Sequence, residues 1–294
     1  MYSKSLINVA VQESRDEITA STIYKRLASR EKNPKFKKVF LEFVSVEYEH
    51  YKFWIKYTQK GEIKPDIFKV YFVLFLRYIM GAAFVIKYLE KSEAAATKKY
   101  ESIRKIMPKS DMEKLNKIIL EEEEHEHKFA EQVQGTYVKY ISFVVLGLAD
   151  ALVEIAGIHA GSLGIYDSTE LTGLAGIVAG AAASIAMASA AYAQAKQGFK
   201  GSASLAAAYT GISYFASAVL LATPYFLTGT MLLAIVSSII VGMVILAVAS
   251  WYNSIISGSK FRRDFLELAG IMLAATVALF FFGLAIRNIF HIGV

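Results

Sequence analysis

Residues 201–259 read GSASLAAAYT GISYFASAVL LATPYFLTGT MLLAIVSSII VGMVILAVAS WYNSIISGS, from Gly201 to Ser259 without one Asp, Glu, Lys, Arg or His. A water-soluble domain almost never runs so far without a charge, so the stretch belongs to hydrocarbon rather than to water. Working outward, the 32 Lys+Arg and 26 Asp+Glu of the 294-residue chain are unevenly placed: residues 1–140 hold 26 and 20, residues 141–294 hold 6 and 6. That step predicts an all-α chain of two domains, a water-facing one over 1–138 and a membrane one over 139–294. The chain has no cysteine, which excludes a disulfide framework, a thiolate zinc site and a cysteine nucleophile. Its formal charge of +6 comes from scattered lysines in the first half. Such scatter suits an anionic membrane surface and gives no reason to expect nucleic acid as a partner. The first ten residues carry too short an apolar run for a secretory signal, and Glu13, Arg15, Asp16 and Glu17 follow at once, so the first half is expected to stay where it is made.

Five apolar stretches follow Tyr140, at about 141–163, 171–195, 203–226, 229–257 and 265–286. Each is long enough to cross about 30 Å of hydrocarbon at about 1.5 Å per residue. A break is expected from Pro224 to Gly229, where no charge marks the turn. Lys139, Lys196, Lys200, Lys260, Arg262 and Arg263 flank one side of these spans, and Asp167 and Glu170 the other. The positive-inside rule then predicts a multi-pass protein of the cell membrane with its N-terminal domain in the cytoplasm and its C-terminus outside.

Asp150 and Glu154 lie inside the first span, four residues apart and so on one helical face. Each costs roughly 2.5–3.5 kcal/mol near the bilayer centre, and no basic residue in the other spans is placed to neutralise them. Carboxylates kept at that cost point to a cation or proton pathway. The second span carries Gly173, Gly176, Gly180 and Ser184, a small-residue stripe that lets another helix approach closely. Met187 stands one turn further on, a soft thioether for a transition metal beside the carboxylates. Asn253 is a further candidate for the same pathway. His159, nine residues past Asp150, reads as a packing residue. Pairing spans one and two across a two-fold axis doubles the carboxylates around one cavity, which favours a homodimer.

The first half predicts four amphipathic helices, about 5–30, 34–59, 67–107 and 110–137, separated by Asn33-Pro34, Gly61 with Pro65, and Pro108. These helices repeat. Glu17 precedes Tyr24 as Glu93 precedes Tyr100, and Glu47-Tyr-Glu49-His50 is matched by Glu124-His125-Glu126-His127, with Glu-to-Glu separations of 30 and 31. A Glu and a His three apart on a helix point the same way. Two such helices with one Glu from each of two others supply six ligands for a pair of metal ions, the dinuclear carboxylate arrangement of a four-helix bundle. The predicted ligands are Glu17, Glu47, His50, Glu93, Glu124 and His127, with Glu49, Glu126 and His125 as outer candidates. Glu121, Glu122 and Glu123 read as a solvated acidic face that can also attract cations. Carboxylates mixed with imidazole suit iron or manganese. Tyr24, Tyr48, Tyr51 and Tyr100 near such a site read as core packing. The run Val70–Ile86 approaches a sixth span, but Arg77 sits at its middle, and crossing there separates the two halves of the repeat. It reads as a greasy helix covered by its own bundle, a second subunit or the membrane surface.

Through Glu17 and Tyr24, Glu47-x-x-His50, Glu93 and Tyr100, and Glu124-x-x-His127, the first half resembles the rubrerythrin branch of the ferritin-like superfamily. Through Gly147-Leu-Ala-Asp150-Ala-Leu-Val-Glu154 and Ala186-Met187-Ala-Ser-Ala-Ala-Tyr192, the second half resembles the vacuolar iron transporter family. The whole chain is similar to the membrane-bound ferritin fusions of the two. The resemblance implies proton-driven export of Fe2+ or Mn2+ through a homodimer, two iron ions per ferritin-like site, and Asp150 and Met187 on the pathway. Three departures stand out. Ala151 replaces the family's Gly after the aspartate, Ala190-Ala191-Tyr192 replaces Gly-Glu-Tyr, and the loop Lys196–Gly201 is too short for the metal-binding insert of some members. The competing reading is a membrane-anchored di-iron ferroxidase or peroxidase of rubrerythrin type. Rubrerythrins usually draw electrons from a thiolate iron domain, which a chain without cysteine does not provide.

Overall fold

A computed structural model describes residues 2–133, 136–165 and 168–290, without the side chains of 83, 90–102, 123–133, 136–139 and 164. The described chain is helical, with no strand, and divides into two compact units, Met1–Gln134 and Gly135–Val294.

The first unit contains α1 (Lys4–Arg30), α2 (Pro34–Ile55), α3 (Ile67–Arg104), a 3-10 turn (Lys109–Asp111) and α4 (Met112–Val133). Local chemistry sets the boundaries. The Ser3 hydroxyl accepts from Leu6 N–H at 3.2 Å, the Asn33 side chain from Lys35 N–H at 3.0 Å with Pro34 opening α2, and the Asp66 carboxylate from Lys69 N–H at 3.0 Å. Each satisfies an N–H that the first helical turn leaves without a partner. The α1–α2 hairpin is tied by Ser21, whose hydroxyl donates to the Val44 carbonyl at 2.9 Å. Leu6, Ala10, Phe53, Trp54, Tyr57, Ile103, Leu115 and Ile118 close one end of the bundle as a buried apolar cluster.

The greasy stretch of α3 carries one charged residue, Arg77, at its middle. Arg77 donates to Glu31 at 2.7 Å. Burial opposes ionisation of Glu31, but the Asn33 N–H and the Arg77 guanidinium outweigh it and hold the carboxyl below its ordinary range. A break that the sequence reading did not anticipate falls at Gly81, whose φ of 87° and ψ of 170° interrupt α3. Only glycine adopts that backbone without strain.

The second unit is α5 (Thr136–Ile165), α6 (Thr169–Ala195), α7 (Ala203–Leu227), α8 (Met231–Ile256) and α9 (Phe261–Phe290). All five are long and apolar enough to cross a bilayer. The expected break at Pro224 is displaced. Pro224 lies inside the last turn of α7, and the connection runs over Thr228–Thr230. So near a C-terminus the missing N–H forfeits one helical bond at most, too little to end the helix. Hydroxyls bond the helices in place of water. Thr210 and Ser213 donate to the carbonyls of Phe143 and Val144 at 3.1 and 3.2 Å, and Ser238 to that of Leu221 at 2.8 Å. The helices α5 and α9 approach at Gly161 and Gly283, where a Cβ on Gly283 would overlap the Gly161 carbonyl. Gly283→Ala is therefore expected to destabilise this unit by about 1–3 kcal/mol, read as a lower unfolding temperature in detergent. Gly270→Ala is the control, because a Cβ there meets nothing within 4 Å. Equal unfolding temperatures for the two variants would refute this packing.

Candidate metal centre

In the first unit, Glu17 of α1, Glu47 and His50 of α2 and Glu122 of α4 are all buried, and each offers a ligand atom within 4.8 Å of the others'. The three-residue spacing of Glu47 and His50 turns both inward from one helix. The imidazole is the hub. Its Nδ1 lies 2.9 Å from Glu122 Oε1, 3.9 Å from Glu17 Oε2 and 4.0 Å from Glu47 Oε2, while Nε2 lies 3.1 Å from Glu121 Oε2. Burial, followed by the charge of Glu122, pushes Glu17 up to about 8, against the opposing pull of His50 and a hydrogen bond from Glu47. Burial works to lower His50, but the carboxylates of Glu122, Glu17 and Glu121 prevail and raise it to about 9. Glu121 itself is held below its ordinary range despite partial burial, by His50 and Lys117.

Three carboxylates converging with one imidazole in a buried space form a hard donor set with one borderline ligand, which fits Fe2+ or Mn2+. An ion bound there would displace protons from these groups.

Glu17, Glu47 and His50 come together in this cluster. Glu93 falls within α3, and Glu124, His125, Glu126 and His127 within α4, but their side chains lie outside the described residues, as does that of Tyr100. Glu49 is not brought in. Two residues past Glu47, it lies about 200° around the helix, exposed and paired with Lys52 at 2.5 Å. Glu122, which the sequence places on a solvated acidic face able to attract cations, is buried. The signal for it was the stripe Leu115, Ile118, Ile119 and Glu122, all buried at helical spacing. Tyr24 packs against Phe43 with ring centroids 5.3 Å apart, as core packing predicts.

In the second unit, Asp150 is half-buried and Glu154 is exposed on the single chain. Tyr214 of α7, fully buried, donates its hydroxyl to Glu154 Oε2 at 2.5 Å. Nothing in the uncharged third span singled out this tyrosine. Met187 packs, partly buried, against the cluster of Ala151, Leu152 and Ile155. Ser184 donates to the Ala181 carbonyl at 2.8 Å and lines an apolar cleft of about 840 Å³ between α6 and α7. Asn253 lines a cavity of about 270 Å³ with Val145 and Ala149 of α5 and Glu267 of α9, and its amide donates to Ser259 at 3.4 Å and to Asp264 at 3.2 Å, joining the end of α8 to the start of α9. The small-residue stripe is filled from within the chain, since His159 occupies the notch at Gly176, Ala218 that at Gly180, and Tyr225 with Phe226 that at Gly173.

The rubrerythrin family model matches residues 12–133, which span α1 to α4. These residues are thus similar to rubrerythrin-type, ferritin-like domains, and five apolar helices follow them. Comparison with curated proteins and with solved structures finds no match.

Proposed function

We propose that the chain is a homodimeric membrane transporter that exports Fe2+, with Mn2+ as a second cargo, from the cytoplasm in exchange for protons. The observation that carries this reading is the Asp150–Glu154 pair on a helix of membrane-spanning length, with Tyr214 donating to Glu154. An anchor needs one span and no carboxylate inside it, whereas a cation path needs acidic groups. In this reading the ferritin-like domain, residues 1–138, collects cytosolic metal. Glu17, Glu47, His50 and Glu122 hold one ion, and Glu93 with His125, three residues past Glu122 and so on its face of α4, completes a two-ion site in place of Glu124 and His127. The membrane domain, 139–294, then passes the ion along Asp150, Glu154 and Met187, with Ser184 beside them.

Two carboxylates without a basic partner can exchange a proton for a cation, which is the basis for antiport. Glu154 supports the dimer. A carboxylate exposed on one chain at membrane depth needs protein or water against it rather than lipid, and α5 of a second copy meets that need.

The test is reconstitution in vesicles holding a metal indicator and, separately, a pH indicator. Metal flux accompanied by opposite proton flux is expected. Metal flux without proton movement would remove antiport and leave transport standing. The rubrerythrin match supports a second reading, a membrane-anchored di-iron oxidase or peroxidase. It predicts no flux, with full oxidation of Fe2+ at the bundle.

A further inference from the structure

The first helical segment of α3 presents an apolar face to the outside. Ile67, Phe68, Tyr71, Phe75, Tyr78 and Ile79 are all exposed, Phe68 at 82% and Tyr78 at 89%. At about 100° per residue they share one arc of roughly 120°, with no charged residue among them. On the other side of the same helix Val70, Val73 and Leu76 are buried, so the segment is apolar on both faces. Taking about 200 Å² for each exposed aromatic side chain, the face offers on the order of 700 Å², more than a soluble surface carries without a partner.

Gly81 bounds this face. In an unbroken helix Val85, Ile86 and Leu89 would extend the same arc, yet beyond the break they are 0%, 0% and 3% exposed. The outward face therefore ends at Ile79, after about 20 Å of helix.

Charge indicates what covers it. The Arg26 guanidinium sits 5.0 Å over the Tyr71 ring, and Arg30 is close enough to act on the same phenol. A second copy docked face to face across a two-fold axis would bring these arginines toward their own images. An anionic bilayer offers phosphates to the arginines, the headgroup layer to the tyrosine hydroxyls and the acyl boundary to the phenylalanines. A chain held in the bilayer by its own spans meets that surface at high effective concentration, so modest affinity suffices.

We propose that the exposed face of α3 lies on the anionic headgroup layer of the membrane that carries the chain, with Phe68, Phe75 and Ile79 at the acyl boundary and Arg26 and Arg30 on lipid phosphates. The proposal rests on the membrane-spanning reading and is independent of transport.

The cysteine-free chain allows a direct test. Spin labels are placed singly at Phe68→Cys, Phe75→Cys and Tyr78→Cys, with Lys38→Cys as a water-exposed control, in the full chain reconstituted in phosphatidylcholine–phosphatidylglycerol vesicles. The ratio of oxygen to nickel-chelate accessibility should be several-fold higher at the three face positions than at Lys38. Adding Arg26→Glu and Arg30→Glu should bring it down to the control value. Water-like accessibility at all three positions overturns the proposal, as does dipolar coupling between like labels on two copies. Labels that remain lipid-exposed in the charge-reversed chain overturn the headgroup contact. Resistance to alkaline extraction, measured alongside, reports whether the spans themselves are inserted, and no outcome depends on metal flux.

Discussion

Titrating the full chain with Mn2+ at pH 7 is expected to release about two protons for each ion that enters the Glu17, Glu47, His50 and Glu122 cluster. Glu17 is raised to about 8 by burial and by Glu122, and His50 to about 9 by its carboxylate neighbours against the effect of burial. Both groups thus hold a proton at pH 7, and both must lose it to bind metal. Affinity should climb about a hundredfold per pH unit below pH 8, about tenfold between 8 and 9, and level off above. The sites are coupled, so the two protons belong to the cluster as a whole.

Stability of the metal-free domain should follow the opposite sign. A group whose folded pKa is raised binds its proton more tightly when folded, so its contribution is full below the unfolded value and fades as pH rises through the folded one. For Glu17 that window runs from about 4.5 to about 8, and for His50 from about 6.5 to about 9. The metal-free domain should therefore lose stability across pH 5–9 while its affinity for metal grows. Calorimetry in phosphate and in Tris, whose ionisation enthalpies differ, counts the protons. A release near zero at pH 7 would refute the assigned protonation.

The pattern that made this cluster legible is also what hid part of it. Glu17, Glu47 and His50 were readable because a helix fixes what three- and four-residue spacings can share. In α4 the same rule is satisfied twice, by Glu122 with His125 and by Glu124 with His127, so spacing alone does not select the inward register. Burial does, and the apolar stripe ending in Glu122 carried that information. The spans were legible because a bilayer tolerates few charges, and their ends because lysine, arginine, serine and glycine cluster there. Chain breaks set by one backbone torsion were not, as Gly81 illustrates: glycine inside an apolar run is compatible with a straight helix. Nor does composition reveal which side of a greasy helix faces outward, since Leu74 and Phe75 are both apolar neighbours yet only Leu74 is buried.

Replacing Asp150 with asparagine is expected to lower metal flux in reconstituted vesicles by two to three orders of magnitude. A divalent ion leaving water for a span must have its lost hydration replaced by fixed negative charge. One carboxylate about 4 Å from a unit charge contributes about 4 kcal/mol at an effective dielectric near 20, and each 1.36 kcal/mol is about tenfold. Tyr214→Phe should cost less, about ten- to a hundredfold, because it removes one hydrogen bond to a charged group, worth about 1.5–3 kcal/mol, and leaves Glu154 in place. Asn253→Leu should leave flux near that of the unaltered chain, since its amide serves the α8–α9 connection. Metal stoichiometry at the ferritin-like domain, unchanged in all three variants, guards against misfolding. The ordering matters more than any single value. An anchored oxidase shows no flux to lose and oxidises Fe2+ equally well in every variant. A transporter whose path lies elsewhere shows flux indifferent to Asp150. Only a path along α5 makes Asp150 the largest loss, Tyr214 intermediate and Asn253 neutral.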